Sequence, residues 1–162
     1  MVPDPDLQLS VSIKALRDVV APAIDPANAL AAEQLHLAMV TLEMVRSRLP
    51  HMHRIARQEL ENAISMATAV DIESRLVEIV AGSRDMLANP AINTAYLDTQ
   101  RLRLLEAVSA MFNETQDPAR RTQMTRAVVA QSKSQCDLAR ALSLQAGFEP
   151  DPADVPELEN LL

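Results

Sequence analysis

The chain has 162 residues, 48% of them hydrophobic, with 15 Lys and Arg against 22 Asp and Glu and a formal net charge of −7. Two glycines, Gly82 and Gly147, cannot supply the repeated close backbone approach that a dinucleotide fingerprint or a phosphate-cradling loop requires. One cysteine, Cys136, excludes an internal disulfide framework and any zinc site built from several thiolates, and 2% aromatics leave no stacking platform for single-stranded nucleic acid.

The length suits a single domain that needs no covalent staple. Asp4 and Asp6 at one end, with Glu149, Asp151, Asp154, Glu157 and Glu159 at the other, account for the whole acidic excess. The body between them is neutral, so the net charge describes the ends rather than a surface that repels or attracts phosphate. The first six residues lack the basic and apolar regions of a secretory signal, and charged residues interrupt every apolar run before the ~18–20 residues of a membrane span. A soluble cytoplasmic protein is the expectation.

Apolar residues recur at three and four from Leu9 to Ala146, the period of helices. Leu9, Ile13, Leu16 and Val20 share one face of a first helix ending near Pro22. Asp25-Pro26 is a start signal, a capping carboxylate followed by a proline that forfeits no hydrogen bond in the first turn. The helix it opens is expected over 26–49, with the stripe Leu35, Ala38, Leu42, Val45 and Leu49. Leu30, Leu37 and Met44 widen its apolar face past half the circumference. Pro50 is read as a break. A third helix over 51–69 carries a seam of small residues, Ala56, Leu60, Ala63, Ala67 and Val70. Asp71 is expected to cap a fourth from Ile72 to Leu87, stopped by Asn89-Pro90. Asn93 or Thr94 opens a fifth with the stripe Leu97, Leu104, Val108 and Met111, and Asp117-Pro118 launches the longest, which ends at Gly147 as a left-handed cap.

The expected fold is therefore all-α, a single-domain bundle of five to six helices with short loops. Residues 1–8 form an acidic arm, 9–147 the bundle, and 148–162 an acidic, proline-containing tail. Phe148, Val155, Leu158, Leu161 and Leu162 give that tail a reason to pack on its own or a neighbouring subunit.

Three constellations invite a chemical reading. Glu33 and His36 stand three apart, the spacing of paired ligands in di-iron carboxylate bundles, and Glu43 falls on the same side of the helix. The motif occurs once, whereas such sites need two, so Glu33, His36 and Glu43 are a metal candidate without a full ligand set. Arg46, Arg48, Arg54 and Arg57 gather around Pro50 with His51 and His53, a basic corner suited to an anionic ligand or to the acidic tail. Gln131 and Gln135 stand on the stripe of the last helix where Leu or Val would pack, which marks a polar network, a wet pocket or a rim. Cys136 has no His or acid nearby in sequence, and acids two apart such as Glu59 and Glu61 diverge on a helix.

The stretch from Leu16 to Ile24 with the Ala-rich helix that follows resembles small helical bacterial proteins, a resemblance that carries no chemical motif and implies neither activity nor ligand. The residues favour a non-enzymatic association module acting as a homodimer, with no cofactor, nucleic acid or membrane. The alternatives are a bundle binding a small ligand or metal, and an acidic adaptor or chaperone for another protein.

Overall fold

The computed structural model describes residues 4–71, 73–147 and 149–162. Met1 to Pro3 of the acidic arm, the expected helix start at Ile72 and the tail residue Phe148 lie outside the described residues. The chain is all-α, 83% helical with no strand among the described residues. Six helices run 11 residues or more: α1 (Pro5–Ala15), α3 (Ala29–Arg48), α4 (Met52–Val70), α5 (Val77–Ala88), α6 (Thr94–Glu114) and α7 (Pro118–Ser143). Two shorter ones, α2 (Ala21–Ala23) and α8 (Leu158–Leu161), complete the set.

Local chemistry moves several boundaries. Asp4 accepts a hydrogen bond from the Asp6 amide and Pro5 follows at the first helical position, so α1 begins four residues before Leu9. It runs without interruption through a π turn, Leu16–Val20, into α2. Pro22 has no N–H and would crowd the carbonyl four residues back, and the wider turn ahead of it relieves that crowding. Asp25 caps only a turn, accepting from the Ala27 amide at 2.9 Å. Asn28 is the true cap of α3, its side chain accepting from Ala31, so the helix starts three residues after Pro26. At Pro50 a 3-10 turn, Leu49–His51, separates α3 from α4. Asp71 accepts from the amides of Arg75 and Leu76, and Ser74 adopts a φ of 59°, so this carboxylate folds a loop and α5 waits until Val77. Asn93 and Asp117 cap α6 and α7 as expected, and Gly147 takes a φ of 75° beyond the turn Leu144–Ala146.

The chain forms two compact units, residues 1–51 with 140–155, and residues 52–139 with 156–162. In the second unit α4 packs on α5 and α6. Its core is continuous and includes Leu60, Ile64, Val70, Val80, Leu97, Leu104, Val108, Met111 and Met124. The seam of small residues on α4, Ala56, Ala63 and Ala67, is buried within it, which allows the close approach of neighbouring helices. In the first unit α1 packs on α3, and α3 meets the turn Leu144–Ala146. Ile13 is its one buried hydrophobic residue among those described.

Candidate functional site

The arginines expected to form one basic corner are divided between the units and each is engaged at home. Arg46, in the first unit, pairs with Asp6 at 2.7 Å and lies 3.9 Å from Glu43. The Arg46 guanidinium, hydrogen-bonded to Asp6, holds that carboxyl below the usual carboxylate range. Arg48 donates to the carbonyl of Leu142, in the last turn of α7, one of the acceptors a helix end leaves without an intrahelical partner. Arg54, in the second unit, pairs with Glu159 of α8 at 2.9 Å. Arg57 donates to the carbonyls of Leu87 and Asn89, closing the C-terminal end of α5 with a cation where the helix dipole favours one. His53 donates through Nε2 to the carbonyl of Ile92 at 3.0 Å. Elsewhere in the tail, Glu149 receives two hydrogen bonds from Arg140, which lower its pKa.

His36 and Glu43 line a shallow cavity of about 360 Å³ together with Arg17, Met39 and Val40. The π turn carries Arg17 to Glu43 at 3.3 Å, so this carboxylate already faces two arginines. Glu33 stands exposed and does not line the cavity. No three His, Cys, Asp or Glu residues among those described gather closely enough to hold a metal ion. Cys136 is a free, exposed thiol.

Gln135 accepts from Asn62 at 3.2 Å, and Asn62 in turn accepts from Gln58 at 3.2 Å, an amide relay between α7 and α4. Gln131 is half-buried one turn earlier. Sequence reasoning missed the more deeply buried pair: Gln100 donates to the hydroxyl of Ser83 at 2.9 Å, and Ser83 donates to the Ile79 carbonyl at 2.6 Å. The signal was available, because Gln100 fills the gap between Leu97 and Leu104 on a buried stripe. Both ends being satisfied, the pair fixes α5 against α6 and leaves no reactive group open.

What remains open is the outer face of α3. Leu30, Gln34, Leu37, Ala38, Thr41 and Val45 are all exposed, while Ala31, Leu35, Met39, Leu42 and Leu49 are half-buried on the other side of the helix. Leu30 is 67% exposed, Leu37 41% and Val45 44%, and α3 buries no residue completely. Thr41 donates its hydroxyl to the Leu37 carbonyl at 2.8 Å, so its polar group is satisfied within the helix and its methyl adds to an uncharged strip. On α1, Leu7 and Val11 are each 60% exposed and one turn apart. No described helix is long and apolar enough to cross a membrane, so a lipid core is not the solvent for these residues.

No family model, curated protein or solved structure matches this chain.

Proposed function

We propose that this protein is a non-enzymatic helical association module that acts as a homodimer. One observation carries the reading: the 20-residue helix α3 buries nothing completely and presents Leu30, Leu37 and Val45 to solvent, although the second unit of the same chain buries its apolar residues thoroughly. Single exposed leucines are ordinary on a protein surface, whereas an uncharged strip along most of a long helix is the form of a contact surface. The arginines, histidines and carboxylates that might have served catalysis hold helix ends and pair with one another instead.

An exposed free Cys136 fits a reducing, cytoplasmic setting. Sedimentation of the purified full chain across micromolar concentrations tests the reading. A mass that rises to twice the monomer is expected, and a monomer throughout overturns it. A stable complex with a different protein, formed by a chain that stays monomeric alone, would favour the adaptor instead.

A further inference from the structure

We infer that the outer face of α3 pairs antiparallel with α3 of a second copy of this chain, about a two-fold axis passing between Leu37 and Ala38. The inference rests on the homodimer reading and specifies its contact.

It starts from the order of residues along the strip. At about 100° per residue, Leu30, Gln34, Leu37, Ala38, Thr41 and Val45 fall within about 100° of one another on the helix. All six are exposed. Turned end for end about the midpoint between 37 and 38, the strip maps onto itself in kind. Leu30 meets Val45 of the other copy, Leu37 meets Ala38, and Gln34 meets Thr41. A closed two-fold contact demands this property, because the same patch must serve as both surfaces. A surface built for an unrelated partner has no reason to satisfy it.

Size and charge agree with the pairing. Leucine opposite alanine at the centre, and leucine opposite valine at each end, alternates large with small so that the helices can approach to the ~8–10 Å of packed pairs. The strip contains no charged residue, so the antiparallel arrangement places no like charges in contact. The Gln34 amide is the one polar group without an intrahelical bond, and it faces the edge of the Thr41 methyl where water can still reach it. A single helix seam lies at the small end of specific interfaces, which typically bury ~1,200–2,000 Å², so the dimer is expected to dissociate on dilution.

Thiol cross-linking in the full chain tests the register, in a Cys136→Ser background that removes the native exposed thiol. Leu37→Cys copies lie close to the axis and are expected to be joined by a short bis-maleimide. Leu30→Cys copies stand about 22 Å apart in an antiparallel pair and are expected not to be joined to each other. Mixed with Val45→Cys, the same Leu30→Cys protein is expected to be joined. All three positions are exposed, and far-UV circular dichroism confirms that each variant is helical before cross-linking. Self-joining of Leu30→Cys copies would overturn the antiparallel seam in favour of a parallel one. A dimeric mass with none of these pairs joined would overturn the seam while leaving the homodimer standing, and a monomeric parent would overturn both.

Discussion

In the unit of residues 52–139 and 156–162, α4 sets Ile55, Ala56, Leu60, Ala63, Ile64, Ala67 and Val70 on one side and buries every one of them. In the unit of residues 1–51 and 140–155, α3 is no less apolar and buries none completely. The two helices differ in arrangement rather than in content. On α4, charged and amide residues occupy the opposite side, so one neighbour suffices to hide the apolar face. On α3, apolar residues encircle more than half the helix, and packing against α1 covers only the side of Leu35, Met39 and Leu42. Segregation, more than hydrophobicity, decides whether a helix finishes its burial within its own chain.

The largest expected effects separate the units most cleanly. Leu60→Ala and Leu104→Ala remove fully buried side chains and are expected to cost about 2–5 kcal/mol each in urea unfolding. Leu30→Ala and Leu37→Ala are expected to change monomer stability by no more than about 0.5 kcal/mol while abolishing the dimer. Equal losses at Leu104 and Leu37 in dilute monomer would erase the distinction between the units.

Next in size is Ser83→Ala, which leaves the Gln100 amide without its 2.9 Å acceptor in the buried part of the second unit. About 1–3 kcal/mol of destabilisation is expected, with no change in association. Gly147→Ala forces a residue with a Cβ into a φ of 75°, and about 1 kcal/mol should be lost in the unit that holds it. The smallest effect is the most local. Asp6, paired with Arg46, has a folded pKa below its unfolded value, so its stabilising contribution is complete above the unfolded pKa and disappears as pH falls through the folded one. Hydrogen exchange of α1 followed from pH 5 to pH 3 should accelerate in the parent, beyond its intrinsic pH dependence, more than in Asp6→Asn, where the pair is absent at every pH. An identical acid response in both proteins would show that the pair does not hold α1.

The helices were legible because their signals are local: Asn93, Asp117 and Gly147 cap where their side chains or backbone freedom dictate, and the core stripe Leu97, Leu104, Val108, Met111 lies on the face its spacing defines. Starts that depend on competing caps were not. Asp25 and Asn28 both fit the role, and only the folded chain shows that Asn28 holds α3 while Asp25 closes a turn. The basic corner was misleading for a related reason. Nearness in sequence to Pro50 suggested a shared surface, whereas each arginine reaches a carbonyl or carboxylate 30 to 105 residues away along the chain. Sequence separation of that kind has no local signature, and the Gln100–Ser83 pair was hidden by it too.

Sedimentation equilibrium of the full chain beside Leu37→Asp tests most directly whether the bare strip on α3 is an association surface. The parent should move from monomer to dimer as concentration rises, and the variant, with a charge at the centre of the strip and its helices intact, should stay monomeric. A parent that remains monomeric at the highest attainable concentration, or a variant that dimerises as well as the parent, would contradict it.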